Sequence, residues 1–352
     1  MSVLHLDRRG QRALVDLGLE VPRANEAHEP PEARGLARDE VRLMVATRRD
    51  EKLVHARFRE LPRHLAPGDL LVVNVSAPVP AALPALRPDG TSLELRLSTP
   101  RPDDRWLVEL RLGREKFEGG EAGERLTLPH GGQATLLGRY AGGRLWRAEL
   151  SLSKPLDRYL AEHGRPIRYG YVPKPWPLET YKNVYATEPG SAEPPSAGRP
   201  FTHELLSRLV SKGVLVAPIV LHTGVASLER GEAPYPERFR VPEETARLVN
   251  AVHGWRGRVI AVGTTVVRAL ESVASSNGAV EPYEGWTSLV VEPARGLWTV
   301  DGLLTGWHEP RASHLDLLRA AAGDELVERS YRTALDLGYL WHEFGDSQLI
   351  LP

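Results

Sequence analysis

The chain has 352 residues, 41% of them hydrophobic and 26% charged, a globular composition with length enough for two ordinary domains. Its 45 Lys and Arg nearly balance 46 Asp and Glu, so no overall field draws it to nucleic acid or to an anionic membrane. Cysteine is absent, which excludes disulfides, thiolate nucleophiles, Cys-ligated zinc and iron–sulfur clusters.

Residues 1–10 are polar and charged, so no signal peptide is expected. The apolar run 214–221 has eight residues and contains Pro218, far short of the roughly 20 that span a bilayer. A cytoplasmic setting without membrane contact is therefore expected. The first clear strand is 70–74, apolar up to Asn74. Beyond it, alternating stretches at 92–97, 105–111 and 144–150 are separated by Pro88-Asp89-Gly90, Gly119-Gly120, His130-Gly131-Gly132 and Gly142-Gly143. Such short strands with turn chemistry between them predict a compact antiparallel, β-barrel-like unit. Residues 83–175 carry 16 Lys and Arg against 12 Asp and Glu. That mild excess suits RNA phosphates or an ordinary solvated sheet face.

After Leu156 the texture changes to helices alternating with apolar strands. Thr202 caps a predicted helix running through Lys212 to Gly213, and 214–221 follows as a buried strand. Pro242 opens a helix over 243–252. Strand 258–262 leads into helix 265–274, and 288–291 is the next predicted strand. Ser313 caps a helix ended by Gly323, and Asp324 caps another ended by Gly338. The order predicts an α/β fold, a mostly parallel sheet with flanking helices, built from 1–82 and 153–352. The antiparallel β-barrel-like domain, 83–152, would be inserted into it.

In open α/β sheets, ligands sit beyond the C-terminal strand ends, where helix N-termini point free N–H groups. Three segments fall at such places, and 301–310 is a fourth candidate element. Val259-Ile260-Ala261-Val262-Gly263-Thr264-Thr265 reads as strand, glycine turn and helix start, with Arg268 one turn in; it serves either a ligand or ordinary capping. Residues 185–202 form a long small-residue loop delivering Tyr185 and Ser191 towards the Thr202 cap. Leu221-His222-Thr223-Gly224 ends a buried strand with an imidazole, either structural or catalytic. His308-Glu309, near the end of 301–310, is an acid/base pair or a polar turn. No H-E-x-x-H, P-loop or G-x-G-x-x-G pattern occurs, and no metal is expected.

Together these segments resemble the S-adenosylmethionine:tRNA ribosyltransferase-isomerase family of queuosine biosynthesis. The run Gly257–Glu271 follows that family's Gly-Arg-Val-Ile-Ala-Val-Gly-Thr-Thr-x-Val-Arg-x-Leu-Glu almost throughout. Leu221 to Gly224 matches its Leu-His-x-Gly turn, Val300 to Pro310 its Val-Asp-x-Leu-Leu-Thr-x-x-His-x-Pro run, and Phe344 to Leu351 its closing motif, with Phe for Tyr. Residues 185–202 match its long loop in part, and 67–74 are similar to its first apolar strand.

The resemblance implies transfer and isomerisation of the ribosyl group of S-adenosylmethionine onto 7-aminomethyl-7-deazaguanine in tRNA. Adenine and methionine would leave. S-adenosylmethionine would be a co-substrate, no metal would be needed, and the chain is expected to act as a monomer. It implies catalytic roles for His222 and His308. Substrate contacts would come from Asn74, Tyr185, Ser191, Ala197, Gly198, Phe201, Thr202, Gly224, Gly263, Thr264, Thr265, Arg268, Glu271 and Thr305. Here Gly263, Thr264, Thr265 and Arg268 would hold anionic or hydroxyl groups, and Phe201 or Tyr185 an aromatic wall.

The chain also departs from the family. Asp-Thr-Arg after Asn74 is Val75-Ser76-Ala77, and Leu-His in the long loop is Arg199-Pro200. Residues 225–240 lack the family's His, and Asn-Phe-His is Gly306-Trp307-His308. Two other readings follow: an offshoot that binds S-adenosylmethionine but uses another acceptor or only cleaves it, and an inactive nucleotide- or RNA-binding module.

Overall fold

Four apolar runs become the parallel centre of the larger sheet: Leu215–Leu221, Leu70–Asn74, Val259–Val262 and Gly302–Gly306, adjacent in that order. Both faces of these strands are covered, which is why they read as nearly continuous apolar runs. Leu70, Val72, Val259, Ala261 and Leu303 face one core, which includes side chains of the helices Glu243–Gly254, Thr264–Val273, His314–Ala322 and Asp324–Asp336. Leu71, Val73, Ile260, Val262 and Leu304 face the other, with helix His203–Ser211 and the 3-10 segment Phe58–Arg63. The computed structural model describes residues 18–225, 235–310 and 314–352.

The margins of this sheet are mostly antiparallel. On one side Glu237–Val241 and Tyr283–Thr287 add antiparallel strands. On the other, Ser347–Leu351 runs antiparallel to Gly302–Gly306 and parallel to Arg42–Thr47, whose hairpin partner is Leu53–Arg57. Among the described residues the sheet is thus mixed and nine-stranded, with three parallel pairings at the centre and a fourth at the margin, between Arg42–Thr47 and Ser347–Leu351.

A second sheet closes on itself. Ala82–Leu86, Ser92–Pro100, Trp106–Leu112, Arg125–Thr127, Gln133–Arg139 and Trp146–Ser151 form an antiparallel barrel, because Trp146–Ser151 pairs with both Gln133–Arg139 and Trp106–Leu112. Closure removes the exposed edges that an open sheet would leave. Leu83, Leu95, Leu107, Leu126, Leu136 and Trp146 fill its interior. Tyr159 and Leu160 of helix Leu156–His163 belong to the same cluster.

Several predicted elements shift. The strand expected at 288–291 is Tyr283–Thr287 instead. Thr287 Oγ1 accepts the Leu289 N–H at 3.1 Å, so a side chain takes over from the ladder and turns the chain away. Gly323, not Asp324, occupies the N-cap of the last helix. Its φ of +80° is a conformation that glycine adopts at no steric cost. Ser313 lies outside the described residues. Thr202 does cap its helix, accepting the Leu205 N–H at 3.0 Å. Thr202→Ala should cost about 1 kcal/mol, read as a lower urea midpoint with an unchanged slope.

The two ends of the parallel core differ chemically. At the N-terminal end Asp69 is tied to the Arg258 guanidinium and accepts the Ala66 N–H. Asp301 accepts the Val259 N–H at 2.8 Å. These carboxylates are committed to holding strand starts together. The opposite end holds the small polar residues considered next.

Candidate active site

Register brings the C-terminal ends of the four parallel strands level. Ile219 stands opposite Asn74, Val73 opposite Val262, and Val262 opposite Leu304. His222, Asn74, Gly263 and Thr305 therefore emerge side by side at one edge. Asn74 is buried and fully engaged. Its Oδ1 accepts the N–H groups of Leu221 and Ser76, while Nδ2 donates to the Leu221 carbonyl at 2.9 Å and to Thr265 Oγ1 at 3.3 Å. One amide side chain thus fixes two strand ends and the start of the neighbouring helix.

That helix, Thr264–Val273, begins at Gly263, whose φ of +97° turns the strand into it. The N–H groups at a helix start have no intrahelical acceptor and, with the helix dipole, favour anionic or hydroxyl-rich ligands. Ala197 closes over this turn: a Cβ built on Gly263 would lie 3.4 Å from that of Ala197. Gly198 is equally constrained, because a Cβ there would collide with the Tyr185 hydroxyl. The long loop is therefore packed directly onto the helix start.

His222 sits half-buried at the end of its strand. Its Nδ1 is 2.8 Å from Ser76 Oγ, which is 2.7 Å from Ser191 Oγ. Burial lowers its pKa below the usual imidazole range; Arg238 and Arg240 push the same way, and Glu188 opposes them. A neutral ring at pH 7 is the result. Gly190 passes across the ring, and any side chain at 190 would strike it.

His308 Nε2 lies 3.0 Å from Thr305 Oγ1, and its ring stacks on His314 with centroids 4.3 Å apart. Burial takes the His308 pKa down to about 4 and that of His314 well below its usual value. The Glu309 carboxylate reaches towards His342, 3.6 Å from Nε2.

Other sequence-derived candidates are committed elsewhere. Glu271 is buried about two turns into the helix. It accepts the N–H groups of Trp298, Thr299 and Val300 and pairs with Arg295 at 2.7 Å, so it anchors a loop. Phe201 is fully buried among Phe58, Tyr185 and the sheet, a core residue and not a pocket wall. Thr202 spends its hydroxyl as a helix cap. Arg268 is paired with Glu237 and donates to the Leu289 carbonyl, so an anionic ligand would have to compete with that carboxylate. Glu237 also accepts the Gly224 N–H at 2.8 Å. Glu237 and His314 were not singled out from the sequence, and Ser76 entered only as part of the departure at 75–77. A lone Ser, one carboxylate in an alternating strand and a His at a helix start carry no local signature.

The comparisons with known proteins decide the family. The model of the family described as queuosine biosynthesis protein matches residues 14–350. The chain belongs to that family. It is 37% identical to the S-adenosylmethionine:tRNA ribosyltransferase-isomerase of Thermotoga maritima, over 94% of this chain and 98% of that protein. It is 36% identical to the enzyme of the same name from Symbiobacterium thermophilum, over 96% and 99%. The crystal structure of an S-adenosylmethionine tRNA ribosyltransferase from Thermotoga maritima superposes with a TM-score of 0.54 at 33% identity, covering 96% of this chain and all of that one.

The departures from the family pattern can now be placed. Ser76 keeps a hydroxyl where the family has Thr, and uses it on His222. Arg199 is buried, donates to the Thr180 carbonyl, pairs with Glu32 at 2.8 Å and lies over the Phe344 ring. Its role is to tie the long loop to the N-terminal segment. Most of the stretch 225–240 that lacks the family's His, namely 226–234, lies outside the described residues. Among the described residues no helix is long and apolar enough to cross a membrane, and no three His, Asp or Glu stand together as a metal site.

Proposed function

We propose that this chain moves the ribosyl group of S-adenosylmethionine onto 7-aminomethyl-7-deazaguanine in tRNA and isomerises it, releasing adenine and methionine. The observation that carries the reading is the convergence of the family's matched runs at one edge. His222, Asn74, the Gly263 helix start and Thr305 with His308 come from four separate segments and meet there. Residues 1–82 and 153–352 would bind S-adenosylmethionine, acting as a monomer, and the barrel unit 83–152 would flank the incoming RNA.

The chemistry asks for few groups. A sulfonium acidifies the adjoining ribose C5′–H bonds, and a neutral base removes one proton. The electron pair opens the ribose ring and expels adenine. The acceptor amine then attacks, and rearrangement releases methionine. Neutral imidazoles suit this work, since at pH 7 they do not repel a sulfonium. His222 and the His308–His314 pair are both held neutral. The N–H groups at Thr264 and Thr265 would hold hydroxyl or carboxylate oxygens of the co-substrate. Tyr185, whose burial pushes its pKa up, stays a neutral phenol beside this turn.

Adenine release from S-adenosylmethionine is expected to be strongly stimulated by tRNA carrying the aminomethyl base, with a ribosyl-derived mass gain on the RNA. Release that ignores the RNA would overturn the assignment of the acceptor. Absence of release despite binding would overturn the catalytic reading altogether.

A further inference from the structure

The hydroxyls behind His222 form a chain whose direction can be read. Ser191 Oγ accepts the Thr223 N–H at 3.1 Å, and among the described residues its one remaining partner is Ser76 Oγ at 2.7 Å. Ser76 Oγ in turn meets His222 Nδ1 at 2.8 Å. Both serines are fully buried, at 0% exposure, so bulk water does not reach them.

Only one ordering uses every proton. In it the backbone N–H donates to Ser191, Ser191 donates to Ser76, and Ser76 donates to Nδ1. The ring must then carry its single proton on Nε2. In the reverse ordering Nδ1–H donates to Ser76 and Ser76 donates to Ser191. The Ser191 hydroxyl proton is then left without an acceptor among the described residues, a costly state for a buried group. That penalty corresponds to about a 10–100-fold preference for the first arrangement.

We infer that Ser76 and Ser191 are positioning residues that lock neutral His222 with its proton on Nε2, so that it meets the co-substrate as a hydrogen-bond donor and not as the base. The use of this donor rests on the ribosyl-transfer reading; the tautomer does not. The proton-abstracting role then passes away from His222 to the His308–His314 pair, which lies beside Thr305 and is the other imidazole group at the strand ends among the described residues. His222 would instead steady an oxygen or nitrogen on which charge develops, as neutral imidazole N–H groups do. Gly190 supports the arrangement by leaving room for the ring to lie flat against the backbone, where even a methyl group would come within 2.5 Å of Nδ1.

The test is the ¹⁵N spectrum of ring-labelled protein, with His222→Gln to assign the signal. Wild type should show a protonated Nε2 and a bare Nδ1. Ser76→Ala should lose this bias and give a mixed or Nδ1-protonated ring, and Ser76→Thr, which restores the hydroxyl, should recover it. Adenine release should follow the same order, falling about 10-fold in Ser76→Ala and returning in Ser76→Thr. A wild-type ring protonated on Nδ1, or a tautomer unchanged in Ser76→Ala, overturns the inference. If wild type releases no adenine yet shows the Nε2 proton, the ribosyl-transfer reading fails while the tautomer assignment stands.

Discussion

Stability should fall as the pH drops from about 6.5 towards 4, a loss that begins well above the range in which most carboxylates titrate. The cause is His342 and His308, whose pKa values burial takes down to about 4, while an unfolded chain's histidines titrate near 6.5. A lowered folded-state value means that protons bind the unfolded chain first. The stabilisation is therefore complete above about pH 6.5 and drains away as the pH falls to about 4. At pH 5 the loss is about 2 kcal/mol for His342, whose side chain is only 8% exposed. His308 adds in the same direction. His342 stacks on Tyr171 with ring centroids 3.7 Å apart, the charges of His308 and His28 lower its pKa further, and the carboxylates of Glu26 and Glu309 stand 3.9 and 3.6 Å away. His342 also has φ +74°, a left-handed conformation that Asn tolerates better than most residues. His342→Asn should thus keep the backbone and remove the titration. Urea midpoints at pH 7.5 and pH 5 should differ by less in this variant than in the wild type, and an equal difference would show that His342 is not responsible.

The centre of the larger sheet was legible because burial on both faces forces apolar runs. Residues 70–74, 214–221 and 258–262 stand out for that reason, and their order with the intervening helices implies parallel pairing. The margins were not. Arg42–Thr47 and Leu53–Arg57 mix polar and apolar residues, and nothing local says that the first pairs with Ser347–Leu351 some 300 positions later. The barrel was visible as short strands between turns, but closure is a long-range event between Trp106–Leu112 and Trp146–Ser151. At the candidate site the strand-end residues were found by position, since a Gly, Asn or His after an apolar run has few reasons to be there. Partnership was invisible. Arg268 looked available until Glu237, on the strand Glu237–Val241 next to the sheet's margin, appeared beside it, and the serine chain behind His222 joins residues 76, 191 and 222 across three segments.

Glu271→Ala should be among the most damaging single substitutions in the chain, and should act through stability. Glu271 lies seven residues beyond Thr264, so at 1.5 Å per residue it is about 10 Å from the helix start. Both carboxylate oxygens are used there. Oε1 accepts the N–H groups of Trp298, Thr299 and Val300 at 3.0–3.2 Å; Oε2 accepts Trp298 N–H at 2.9 Å and pairs with Arg295 at 2.7 Å. Arg295 closes the arrangement by donating to the Glu271 carbonyl and lying over the Trp298 ring. Truncation leaves three backbone donors and a guanidinium without their acceptor, just ahead of the strand Gly302–Gly306. Breaking one side of such a buried pair costs about 3–5 kcal/mol. Glu271→Gln retains one acceptor oxygen but turns an NH₂ group towards Arg295 or the backbone donors, so it should fall between wild type and Ala. Denaturation midpoints should drop in that order, while S-adenosylmethionine affinity of the folded fraction stays close to wild type. A variant that keeps its midpoint and loses the ligand would return Glu271 to the binding site.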